Sequence, residues 1–185
     1  SKIILWSFAL LFILSNVGIN ITSLIAGLGI DYKPDNGFSA YISPITNKTT
    51  IVDNQRLADQ GAFGVTAATY DDNGLLLTPG ETIRYELGGF IKAQYQKDIM
   101  KNVKLNTKID LFSNFLKNPQ NIDVNWETLI AMKINKFLSA SITTHLIYDD
   151  DIKIAVDRDG DGIDDGKGPR TQFKEVFSLG IQYQF

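Results

Sequence analysis

The chain has no cysteine and a single histidine in 185 residues. Disulfides and thiolate metal sites are therefore excluded, and most histidine-based metal or general-base chemistry has little to draw on. Basic excess is missing too. The formal charge is −3 and the isoelectric point about 5.1, so a nucleic-acid partner is not expected. The mean hydropathy of −0.05 is too polar for a bundle of membrane helices, although the hydrophobic content of 44% is ordinary.

What is present is a two-residue rhythm. From Thr82 to Gln96, Ile83, Tyr85, Leu87, Gly89, Ile91, Ala93 and Tyr95 share one face, while Arg84, Glu86, Lys92, Gln94 and Gln96 lie on the other. Val103, Leu105, Thr107, Ile109 and Leu111 likewise oppose Lys104, Asn106, Lys108 and Asp110. The pattern recurs over 122–134, where Asp123, Asn125, Glu127 and Lys133 form the polar row. It recurs again over 138–148 and from Gln172 to Phe185. Strand side chains alternate between faces, so each run reads as a strand with one apolar and one polar side. Weaker strands are legible at 23–33 and 38–45, joined by the turn signal Lys33-Pro34-Asp35-Asn36-Gly37.

The later runs are ten to fifteen residues long. That is long for a soluble sheet and sufficient for a tilted membrane strand of about nine to eleven residues. Connections alternate in length. Long ones are expected at Thr46–Glu81, Phe115–Gln120 and Asp149–Thr171, and short ones at Lys33–Gly37, Lys97–Lys101 and Asn135-Lys136. Short periplasmic turns and longer external loops are the habit of outer-membrane barrels. The expectation is an all-β, transmembrane, antiparallel up-and-down β-barrel of at least eight strands. Its C-terminus would be periplasmic and the loops 46–81 and 149–171 extracellular. Residues 21–185 form this barrel. Residues 1–20, apolar on both faces, read either as a first strand or as a signal-like or anchor helix.

The strings NIDVNWETLIAMKINKFLSASITTHLIYDDDIKI (121–154) and QFKEVFSLGIQYQF (172–185) resemble a family of Gram-negative outer-membrane β-barrel proteins of unassigned function. So do AGLGIDYKPDNGFSAYISPIT (26–46), LADQGAFGV (57–65) and KNVKLNTKIDLFSNF (101–115). The Tyr148–Ile152 segment and the aromatic-rich strand ending in Phe185 are the most specific parts. Members of that family are longer, which implies that this chain, opening on Ser1, is the C-terminal part of a larger barrel. The resemblance implies location and fold, not a reaction.

Chemistry-bearing patterns are few. Asp157, Asp159 and Asp161 alternate ahead of Gly162, with Ile163 able to offer a carbonyl and Asp165 following. Oxygen ligands at alternate positions around a tight turn suit calcium. Gly168 stands where an EF-hand loop would carry its bidentate glutamate, and the same composition also suits a solvated acidic loop. Asp149, Asp150 and Asp151 read as a strand end held in water by charge, or as part of that ion site. Arg84, Glu86, Lys92, Lys104, Lys108, Asp110, Asp123, Glu127 and Lys133 fall on the polar row, where they would pair and fill the interior of an eight-stranded barrel. His145 faces the same way. Ser141, four residues off along the strand, lies about 13 Å away, beyond hydrogen-bond reach. Trp126, Tyr148, Phe173, Phe177, Tyr183 and Phe185 are candidates for interfacial aromatic girdles. The apolar residues of loop 46–81, among them Val65, Leu75, Leu76 and Leu77, lead us to expect that it folds over the mouth or meets a partner. The expectation is a non-enzymatic scaffold or accessory subunit among outer-membrane lipids and proteins. A small-solute channel is the alternative, and an outer-membrane hydrolase using His145 is a more distant one.

Overall fold

The structure, a computed structural model, describes residues 2–14, 21–155, 162 and 166–181. Its strands are β1 (Lys2–Leu14), β2 (Ile21–Lys33), β3 (Phe38–Val52), β4 (Thr69–Tyr70), β5 (Leu76–Thr78), β6 (Ile83–Met100), β7 (Val103–Asn114), β8 (Asp123–Lys133), β9 (Leu138–Tyr148), β10 (Lys153–Ala155), β11 (Lys167–Pro169) and β12 (Gln172–Ile181). One helical turn, α1 (Gln55–Asp59), and a 3-10 turn at Ala62–Gly64 lie between β3 and β4. Eight strands form a single antiparallel sheet in the order β1-β2-β3-β6-β7-β8-β9-β12. Pairs β4-β5 and β10-β11 are small hairpins inside the two longest connections.

The period-two runs are strands because their alternation separates two environments. Along β6, Ile83, Tyr85, Leu87 and Ile91 are exposed, whereas Glu86, Gly88 and Phe90 are buried. Tyr85 is 68% exposed and Glu86 only 1%. The same inversion recurs in β2, where Leu28, Ile30 and Tyr32 are exposed, and in β8, where Trp126 is. Large apolar side chains cover the outer face, and charged ones are enclosed by the inner face. On β12 every residue is exposed, in keeping with its place at the end of the sheet order.

The sheet is strongly curled. Strands β3 and β9 are four steps apart, about 19 Å on a flat sheet. Yet Lys48 Nζ of β3 lies 3.8 Å from Asp149 Oδ2 at the end of β9. Only a sheet wrapped around its inner face brings those groups together.

Strand β3 extends past the expected boundary. Its alternation fails at Pro44 because a bulge inserts one residue. Ser43 pairs with Phe90 and Thr46 with Gly88, so three steps on β3 match two on β6. Ser43 is buried before the bulge, and Thr46, Thr50 and Val52 after it, so the inward parity switches from odd to even positions. The long connection therefore begins at Asp53, not Thr46. Strand β6 likewise runs on to Met100, which leaves Lys101-Asn102 as the turn, with Asn102 at φ 66°. Lys2–Leu14 is a strand paired with β2.

Candidate functional site

Strand β7 gives the layers of the inner face. Starting from the short-turn end, its inward side chains are Lys104, Asn106, Lys108, Asp110, Phe112 and Asn114. Lys108 Nζ meets Asp110 Oδ2 at 3.1 Å and Glu127 Oε1 at 3.9 Å. His145 Nε2 lies 2.6 Å from Asn125 Oδ1 and 3.9 Å from Glu127. The histidine is thus tied into a polar ladder, and its contacts are with an amide and a carboxylate on the neighbouring strand.

The next layer is aromatic. Phe90 and Phe112 are register partners and both are buried, with the Tyr41 ring 6.3 Å from Phe90. Gly88 makes room for this layer, since a Cβ there would sit 2.8 Å from the Phe112 ring and 2.0 Å from Ser113 O.

Above the aromatics, at the long-loop end, lies the densest cluster of charge among the described residues. Lys48 Nζ is 2.9 Å from Asp123 Oδ2, 3.5 Å from Glu86 Oε2 and 4.9 Å from the centre of the Phe112 ring. Arg84 bridges Glu86 and Asp151. Asp151 also accepts from Lys117 Nζ at 2.9 Å, and Asp150 accepts from Asn121 Nδ2 at 2.6 Å. Buried charges persist only when paired, and Lys48, Arg84, Glu86, Asp123 and Asp151 each have an opposite partner here. Asp149, Asp150 and Asp151 are therefore no strand end held in water. They are half-buried and join the loop after β9 to the loop 115–122 and to the inner face.

The connection from Asp53 to Thr82 folds onto this cluster. Val52, Ala58 and Val65 pack as a small apolar core with Leu57 and Phe63 against it. Asn54 caps α1 through Leu57 N. Asp59 accepts from Gln55 and from Gly80 N at 2.8 Å, which ties the start of the connection to its return. Those hydrogen bonds hold the Asp59 carboxyl below its ordinary pKa. Gly64, at φ 77°, lies against Arg84, where a Cβ would be 2.1 Å from the guanidinium. Arg84 Nη1 also donates to Phe63 O at 3.4 Å. The hairpin β4-β5 points away and leaves Tyr70, Leu75, Leu76 and Leu77 exposed.

Burial pushes the Asp151 carboxyl up, but the Lys117 hydrogen bond and the charges of Arg84, Lys117 and Lys48 outweigh it and leave the pKa below the ordinary value.

Sequence reasoning placed Arg84, Glu86, Lys108, Asp110, Asp123 and Glu127 on the inner face, and the structure brings them there in paired layers. It missed Lys48, hidden beyond the bulge, and Lys117 and Asn121, which sit in a loop with no periodicity. The β-branched run Thr49-Thr50-Ile51-Val52 was the available signal for the rest of β3. Asp157, Asp159, Asp161, Ile163 and Asp165 lie outside the described residues, as do Tyr183 and Phe185. Phe173 and Phe177 are exposed on β12, and Tyr148 is half-buried with its hydroxyl 3.5 Å from Asp150. Comparison with protein-family models, curated proteins and solved structures finds no match for this chain.

Proposed function

We propose that the chain is a transmembrane β-barrel of the Gram-negative outer membrane, without catalytic activity, that acts as a scaffold or accessory subunit through its extracellular loops. The observation that carries this reading is the inverted distribution of side chains: apolar on the outside, ionic within. In water such an outer surface is costly, whereas in hydrocarbon it is the stable arrangement.

Polar groups on the outer face support it further. Trp126 Nε1 donates to Thr107 Oγ1 at 2.9 Å, and Thr107 lies 2.8 Å from Thr128 Oγ1. Ser113 Oγ donates to Pro119 O. Lipid offers no partners, so outward polar atoms must be satisfied internally. The resemblance of the 148–152 segment and the last strand to outer-membrane barrels of unassigned function points the same way. Closure of the curled sheet would come from pairing at its two outer edges, β1 and β12, or from further strands. Scaffolding suits a mouth covered by the connection 53–82 and welded by ion pairs, with the apolar hairpin β4-β5 free for a partner protein. The acidic loop at Asp157, Asp159, Asp161, Ile163 and Asp165 would bind calcium and stiffen that surface.

A small-solute channel is the second reading, favoured by the cavity of about 720 Å³ on the inner face at the short-turn end. Planar-bilayer recordings separate the two, because a mouth sealed by ion pairs stays silent. The membrane assignment itself is tested with Trp6→Phe protein reconstituted in vesicles. Lipids brominated on their acyl chains should quench Trp126. Emission unchanged by bromination, from protein that stays soluble without detergent, would overturn the assignment.

A further inference from the structure

We infer that the cavity at the short-turn end is a binding site for a small anion that carries a carboxylate or phosphate. The inference goes beyond the scaffold reading and rests on the inner face of the sheet alone.

The cavity is formed where the turn between β6 and β7, the end of β8, the start of β9 and the later part of β12 curl around one another. Its volume of about 720 Å³ falls within the usual range for small-molecule pockets, about 300–1,000 Å³. The charge on its wall is one-sided. Lys101, Lys104 and Lys133 line it, against the single carboxylate of Asp98. Among the described residues Asp98 meets only Lys104, at 4.0 Å, and both side chains are largely exposed, so that pair neutralises little. Among the described residues, Lys101 and Lys133 have no carboxylate partner. Lys48 and Lys108, which are less exposed, are each held by two or more acids.

Serine hydroxyl side chains line the same cavity. Ser141 and Ser178 are direct register partners on β9 and β12, and Ser139 lies opposite Gly180. Gly180 keeps the wall open there, because a Cβ would stand 2.7 Å from Ser139 Oγ. Ammonium and hydroxyl donors converging on one space, with few acceptors among the side chains, recognise an anionic oxygen cluster through charge-assisted hydrogen bonds. The Lys108, Asp110, Glu127 and His145 layer bounds the inner face on the loop side, so the site opens toward the short turns.

The test is calorimetric titration of the whole chain in non-ionic detergent with phenylphosphate, and in parallel with phenyltrimethylammonium. Phenylphosphate should bind saturably, one per chain, with affinity falling as salt rises, and the cation should give no binding heat. A Lys101→Gln/Lys133→Gln variant should weaken phenylphosphate binding about tenfold or more, while Lys136→Gln, on the neighbouring turn, leaves it unchanged. All variants are first checked for a native, heat-modifiable gel band, because these lysines are not part of the buried layers. Heat at the level of dilution alone, or equal affinity in wild type and the double variant, would overturn the inference. Repeating the titration in phosphatidylcholine vesicles with and without phosphatidylglycerol separates the two sources of anion. Competition by phosphatidylglycerol identifies a lipid headgroup, and its absence a free solute. None of these outcomes depends on whether the loops dock a partner.

Discussion

Lys48 lies on β3 and Asp149 directly follows β9, three strands further round the sheet from β3's neighbour, yet their charged atoms lie 3.8 Å apart. That contact measures the curl of the sheet. It also makes Lys48 the centre of a cluster containing Asp123, which loses its nearest cation if the lysine is removed, and Glu86, which keeps Arg84 but loses its second.

Lys48→Met should therefore destabilise the fold by about 3 kcal/mol, in the range for breaking a buried pair and stranding its partners. Urea unfolding of the protein in lipid vesicles measures it. Adding Glu86→Gln should recover part of the loss, and a double variant less stable than the sum of both single changes would contradict the pairing.

The folded-state pKa of Asp151 lies below its ordinary value of 3.8. The sign follows from linkage: a lowered carboxylate pKa contributes stability that is present above the unfolded value and lost as pH falls through the folded one. Protection of residues 149–155 against hydrogen exchange, corrected for intrinsic rates, should hold from neutral pH down to about 4 and disappear only below 3.8. Asp151→Asn should expose the same segment at neutral pH.

Gly88→Ala places a methyl against Ser113 O and the Phe112 ring. Overpacking of this kind costs about 1–3 kcal/mol. The refolding midpoint in urea should drop accordingly, and Phe112→Leu in the same chain should relieve part of the effect by shrinking the side chain that the methyl meets.

Calcium at millimolar levels should slow proteolysis within residues 156–165, and Asp159→Asn/Asp161→Asn should abolish that protection. Cleavage at the same rate with calcium and with chelator would remove the ion from the account.

Strands β7, β8 and β9 were legible almost to the residue, because each satisfies two environments at once and its alternation is unbroken. Leu138–Tyr148 is such a case, with the observed strand matching the period-two run. Strand β3 was read short for an equally physical reason. One inserted residue at the bulge reverses which positions face inward, so a single-parity pattern stops while the strand continues. The loops carried no period to read. Nothing in the spacing of Lys117, Asn121, Asp150 and Asp151 announces that they meet, since their contacts join separate connections.

Sequence alone determined the two-faced strands, the rhythm of short and long connections, and the sign of charge on the inner row. Those are local properties, set by alternation and turn chemistry along neighbouring residues. Tertiary structure alone decided which charges pair, that the connection 53–82 folds onto Arg84, and that Lys101 and Lys133 are left facing open space. Such relations depend on how far the sheet curls, and curl brings together residues four strands apart that no pattern along the chain connects.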